Sequence, residues 1–184
     1  MHFLLRAGLF FLVIQNAQAG LPEISLRLLN SQHQVNIAER YESDVLLIVN
    51  TSAYCHHAQQ FQGLQALYQR YRDKGFVVLA FPSRDFTSGE TRNEQSLNDE
   101  CRLKHDVTFP LFAVSHVSGA NANALFQWLK EQGGSYPSTD FNKFLVSRNG
   151  RLVRSFRHDT RPDDVRLAVA IARELEGSGE KKEQ

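Results

Sequence analysis

Cysteine is almost missing: the 184 residues hold two, too few for a disulfide scaffold and too few for a zinc site without several histidines. A charge surplus is missing as well. Lys and Arg number 21 against 20 for Asp and Glu, so no excess cation tracks a phosphate backbone, and the composition argues against a nucleic-acid partner. No internal repeat occurs, and no apolar stretch approaches the ~20 residues needed to span a bilayer. What is there instead is globular: 42% hydrophobic and 22% charged, with 13 Phe and 5 Tyr. That apolar content excludes disorder for the bulk of the chain, and the length suits one domain with no second of full size.

The first residues stand apart. Met1–Ile14 carries one arginine, Arg6, ahead of the apolar run Ala7–Ile14, and Ala17-Gln18-Ala19 follows after a polar step. Basic start, short apolar centre and Ala-x-Ala ending are the three parts of a secretory signal, so residues 1–19 are expected to be removed after Ala19. A periplasmic or secreted protein is then expected, with no integral membrane span in its mature form. An oxidising compartment gives two cysteines more weight than they would carry in a cytosol. At the other end, residues 177–184 are polar with nothing to bury and are expected to be a disordered tail, which leaves 20–176 as the domain.

Within that domain strand and helix signals alternate. Ile24–Leu29 and Gln34–Ile37 alternate apolar and polar residues around Asn30–His33, which predicts an N-terminal β-hairpin. Val45–Val49 is a continuous apolar run of the kind found in a sheet covered on both faces. Phe61, Leu64, Leu67, Tyr68 and Tyr71 fall at helical spacing, Gly75 ends that helix, and Phe76–Phe81 predicts a second buried strand stopped by Pro82. A polar helix is expected over Asn93–His105, a strand over Val107–Phe112, and a helix over Ala122–Lys130. The strands Phe141–Val146 and Arg151–Phe156 follow, joined through Asn149-Gly150. A last helix opens at Pro162 with Val165, Ala168, Val169, Ala172 and Leu175 on one face. The plan is α/β: a thioredoxin-like three-layer sandwich, with a mixed central β-sheet flanked by helices and an N-terminal β-hairpin.

Cys55 lies between the first buried strand and the helix after it, beside Tyr54, His56 and His57. A cysteine near a helix N-terminus is favoured as thiolate, the nucleophilic form, by unpaired N–H groups and the helix dipole. Position 58 is Ala, so the Cys-x-x-Cys of disulfide exchangers is absent. Here the chain resembles the glutathione peroxidases, whose strand and loop read V-N-V-A-S-x-C-G. Val49-Asn50-Thr51-Ser52-Ala53-Tyr54-Cys55-His56 follows that frame, and Gly75–Phe86 follows G-F-x-V-L-x-F-P-x-N-Q-F. Gly89-Glu90, Val107–Phe112, Phe141–Val146 and Asn149-Gly150 continue in family order, so the likeness runs from Ile24 to about Leu175.

The resemblance implies a thiol peroxidase that reduces hydrogen peroxide or organic and lipid hydroperoxides through Cys55. Glutathione or a thioredoxin-like protein would be the reductant, and neither a cofactor nor a metal is required. It also exposes departures. The family joins its cysteine to Gln, Trp and Asn in a catalytic tetrad; at those positions this chain has Asp85, Thr139 and Asp140, and the Gly after the cysteine is His56. Amides and an indole donate hydrogen bonds, whereas ionised carboxylates only accept. A carboxylate at ~5 Å, in an effective dielectric of ~20, would oppose a thiolate by about 3 kcal/mol and raise its pKa by roughly two units. Arg84 and His56 are the accessory groups expected to offset this.

Cys101 is the candidate resolving cysteine, although in family members that use thioredoxin the resolving position matches Arg102. Cys101 and His105 share a helix face and, with Cys55 and His56, leave a metal-binding reading open. His33, His116 and His158 fall in loops and read as solvated. The second functional reading is a weakened relative that serves as a redox sensor or binding module. The short segment before Phe141 resembles the compact family members, which implies a monomer and tolerance of bulky peroxides.

Overall fold

A strand with no exposed position demands cover on both of its faces, and β3, Val45–Ser52, is buried at all eight. It belongs to a computed structural model that describes residues 20–52, 58–86 and 93–177. β4, Phe76–Ser83, lies parallel to β3, with Val45 opposite Phe76 and Ser52 opposite Ser83. On the other side β5, Lys143–Val146, runs antiparallel to β3, and β6, Leu152–Phe156, runs antiparallel to β5, giving the order β4-β3-β5-β6. The period-2 alternation of side chains then divides the core. Val45, Leu47, Val49, Val78, Ala80 and Leu145 pack with Phe61, Leu64, Leu167 and Ile171 on one face. Leu46, Ile48, Leu79, Phe81, Phe144 and Val146 pack with Leu125, Phe126 and Leu129 on the other. Helices α2 (Ala58–Tyr71) and α5 (Val165–Glu176) supply the first layer, and α4 (Ala124–Glu131) the second. The three-layer α/β plan expected from the sequence is therefore present.

The N-terminal hairpin is separate from this sheet: β1 (Ser25–Arg27) pairs antiparallel with β2 (Gln34–Asn36), and Asn36 caps the single turn α1 (Ile37–Arg40). Arg27 anchors the hairpin to α3 (Glu94–Asp99), its guanidinium forming a fork of two 2.7 Å bonds with Glu94. Between α2 and β4 the chain turns through a 3₁₀ segment, Arg72–Lys74, into Gly75 at φ +75°. The conformation favours glycine, and a Cβ there would also have to displace the Arg148 guanidinium, 2.6 Å away.

Three details differ from the pattern-based expectation. β4 does not stop at Pro82 but continues to Ser83. The Ser115 N–H donates to the Pro82 carbonyl at 3.1 Å from outside the sheet. The missing proline N–H therefore points to that same outer edge, where no bond to β3 is lost. The segment Val107–Phe112 forms no full strand: the Ala80 N–H donates to the Pro110 carbonyl and the Ala80 carbonyl accepts the Phe112 N–H, bracketing Leu111, and with prolines at 82 and 110 the ladder cannot extend. The turn after β5 spans Ser147–Gly150, as the sequence predicts, with Gly150 at positive φ. Finally, α5 buries Leu167 and Ile171 while Val165 and Val169 are exposed. Of the expected face, Ala168 and Ala172 are half-buried and Leu175 packs against the core, so the buried face is shifted towards the larger side chains. No described strand pairs with the outer edge of β6, along which Arg151, Arg154 and Arg157 are exposed.

Candidate functional site

Parallel strands deliver their continuations to the same end of a sheet, where α/β proteins place their sites. Here β3 and β4 finish side by side at Ser52 and Ser83. Cys55 and His56 follow β3 but lie outside the described residues. Asp85 follows β4 by two residues, after the exposed Arg84. A third segment reaches the same end: the Phe141 N–H donates to the Asn50 carbonyl at 2.7 Å, and the Asn50 amide donates to the Thr139 carbonyl at 3.0 Å. Phe141 holds φ at +63°, an unfavourable backbone for an aromatic residue. Its ring stands edge-on to Phe61 with centroids 5.3 Å apart, and that burial keeps the bend in place. Asp85, Thr139 and Asp140 are thus brought to one end of the parallel pair, with Thr139 half-buried and Asp140 buried.

Asp85 has its own partners. Its carboxylate accepts the Val117 N–H at 2.7 Å and the Ser118 N–H at 3.0 Å, and meets His116 Nδ1 at 2.5 Å. Burial alone would raise its pKa, but the Val117 N–H, the His116 ring and the Ser118 N–H outweigh burial and hold it below the ordinary carboxylate value. The group is ionised at neutral pH and already compensated, so the simple expectation of a bare carboxylate opposing a thiolate does not describe Asp85. His116 is a solvated loop residue, as the sequence suggests, with its side chain 61% exposed, but it also pairs with Asp85, whose side chain is 11% exposed.

A lysine inside the core is the second feature that pattern reading passed over. Lys143 opens β5 and is 0% exposed. Its Nζ donates to the Gln60 side-chain oxygen and to the Phe141 carbonyl, each at 2.8 Å. Gln60 in turn donates to the His158 carbonyl at 3.0 Å. The first turn of α2, the Thr139–Phe141 loop and the turn after β6 are therefore held together through one ammonium. Burial pushes the Lys143 pKa down to about 8, with Asp159 pulling the other way. The only signal in the sequence was a lysine inside the apolar run Phe141–Val146.

Cys101 is 1% exposed in a π-helical stretch, Glu100–Lys104, and packs in the cluster that contains Phe61, Leu97, Val107 and Phe109. Arg102 donates to the Val107 and Phe109 carbonyls at 2.6 and 3.1 Å, which ties the end of the π stretch to the loop after it. His105 stacks on Phe61 with centroids 5.7 Å apart, so it serves the core near Cys101. Among the described residues no three of His, Cys, Asp and Glu gather as a metal site would require.

A sequence model of the glutathione peroxidase family, GSHPx, matches residues 23–130. The glutathione peroxidase homolog BsaA of Halalkalibacterium halodurans is 37% identical over 147 residues, covering 78% of this chain and 92% of that protein. The hydroperoxy fatty acid reductase gpx1 of Synechocystis is 39% identical over 135 residues, covering 68% of this chain and 80% of that one. A thioredoxin-family thiol:disulfide interchange protein from Chlorobium tepidum superposes with a TM-score of 0.63 at 9% identity, over 86% of this chain and 97% of that structure. That likeness establishes the thioredoxin-like fold and nothing more.

Proposed function

This chain belongs to the glutathione peroxidase family, and from that membership we propose that Cys55 is its peroxidatic thiol. The protein is a peroxidase of the thiol type. The reading is supported by one convergence: Asp85 and the Thr139–Asp140 pair come to the end of the β3–β4 pair, directly beyond which the sequence carries Cys55. In the reaction the Cys55 thiolate attacks one oxygen of ROOH, the O–O bond breaks, and the products are the sulfenic acid and RO⁻, which takes up a proton. A reductant thiol then condenses with the sulfenic acid to a mixed disulfide and water. A second thiol releases Cys55–SH and the oxidised reductant.

Organic and lipid hydroperoxides, alongside hydrogen peroxide, are the proposed substrates, in keeping with a relative named for reducing hydroperoxy fatty acids. Glutathione or a thioredoxin-like protein is the proposed reductant, used by a monomer without cofactor or metal. The signal-like segment before Gly20 supports export to the periplasm or beyond. Stopped-flow oxidation followed by peptide mass spectrometry tests the assignment. One added oxygen at Cys55 after equimolar peroxide, and no turnover in Cys55→Ser, is the expected result. Turnover that survives Cys55→Ser would overturn it.

A further inference from the structure

We propose that His116, oriented by Asp85, is the acid that protonates the oxygen leaving the peroxide. The inference rests on the reading of Cys55 as nucleophile and adds a residue to its reaction. Three observations carry it. Asp85 leaves β4 at the end where β3 also stops. Its carboxylate faces His116 Nδ1 at 2.5 Å while two backbone N–H groups fix it in place. An ionised carboxylate can only accept, so Nδ1 carries the hydrogen and Nε2 is the nitrogen left to exchange a proton with another molecule. The ring bearing Nε2 is 61% exposed, open to a peroxide arriving at this end of the sheet.

The loop is rigid enough to hold that aim. Ser115 is bonded to the end of β4, its N–H donating to the Pro82 carbonyl at 3.1 Å. The Asn123 N–H donates to the His116 carbonyl at 2.8 Å, and the Asn123 amide donates to the Ser115 hydroxyl at 2.9 Å. A carboxylate behind an imidazole stabilises the imidazolium and fixes its direction. That is the function of an acid in O–O cleavage, where an alkoxide is a poor leaving group unless a proton reaches it. The balance is complete: the thiol releases its proton to solvent, and the sulfur pair forms the S–O bond as the O–O pair departs on RO⁻. The imidazolium then gives RO⁻ its proton and recovers one from solvent, so that RSH and ROOH become RSOH and ROH. The tetrad positions lost their amide donors here, and the Asp85–His116 pair restores a donor of a different kind.

Leaving-group chemistry separates this role from a structural one. The single-turnover rate of Cys55 oxidation is measured with tert-butyl hydroperoxide, whose alkoxide needs a proton, and with peracetic acid, whose acetate does not. His116→Gln keeps an N–H for Asp85 but supplies no imidazolium. It should lose about 100-fold with the hydroperoxide, in the range of general acid catalysis, and less than threefold with the peracid. Asp85→Asn should show the same selectivity with a smaller loss. Equal losses with both oxidants, or no loss with either, would overturn the assignment of His116. Cys55→Ser, run beside them, should react with neither oxidant. If it still turns over peroxide, the nucleophile reading falls instead, and the two failures are told apart.

Discussion

Replacing Lys143 with methionine removes a buried titrating group while keeping most of its stem. In the folded chain the ammonium titrates at about 8 because it is desolvated, against the ordinary lysine value of 10.5. That gap corresponds to about 3 kcal/mol by which folding disfavours the protonated form. A folded pKa below the unfolded one means the unfolded chain binds more protons between the two values. Stability conferred by this site is therefore present above 10.5 and lost as pH falls through 8. Between pH 7 and 10 the wild type should gain about 2.5 kcal/mol relative to Lys143→Met, a difference of about 1 M in urea midpoint for a slope of ~2 kcal/mol/M. Urea unfolding at pH 7, 8, 9 and 10, in a reducing buffer and followed through the single tryptophan, Trp128, measures it. Tyr41, raised to about 12 by its burial, acts only above pH 10 and is common to both proteins. A stability difference that stays flat across this range would refute the reasoning, and with it the picture of a charged ammonium held between Gln60 and Phe141.

Glu94 is held below the ordinary value by its hydrogen bonds with Arg27, against burial and with help from the Asn30 and Val114 N–H groups. The wild type should thus lose stability as pH falls through that lowered value. Glu94→Gln should cost about 1 kcal/mol at neutral pH and flatten this acid limb in thermal melts. Gly63→Ala would ordinarily favour a helix, but the new Cβ would meet Pro162 Cβ at 2.8 Å. The expected outcome is a destabilisation of about 1–3 kcal/mol, read by urea titration. Cys101→Ala, at a site 1% exposed in the core, should retain turnover with a small external thiol. A collapse of turnover with unchanged Cys55 oxidation would assign resolution to Cys101.

The sheet was legible because its signals are repetitive. Apolar runs at Val45–Val49 and Phe76–Phe81 can only be strands covered twice, and the spacing of Phe61, Leu64 and Leu67 can only be a helix face. Cys55 stands out in the sequence because a thiol between a strand signal and a helix signal has few structural uses, and it lies outside the described residues. The site's polar partners were not, for a physical reason: they are set by long-range pairing. Nothing local in His116-Val117-Ser118 says that its N–H groups and imidazole converge on Asp85, and nothing local in Lys143 says that Gln60 is its acceptor. The shifted face of α5 has a related cause. Two stripes of similar apolarity compete, and only the shape of the core chooses Leu167 and Ile171 over Val165 and Val169.

The open edge of β6 bears on how this molecule behaves in a crowd. A formal net charge of +1 gives copies almost no mutual repulsion at a distance, and an unpaired strand edge is a template for joining sheets. Arg151, Arg154 and Arg157 stand exposed along that edge. Two copies approaching edge to edge would bring guanidinium against guanidinium before any backbone bond could form. Solubility is thus guarded locally, by Arg151 and Arg154 at an edge that no described strand covers, while Arg157 is partly offset by Asp159 at 3.7 Å. Because like charges are screened beyond about 10 Å at 0.1 M salt, that guard weakens as ionic strength rises.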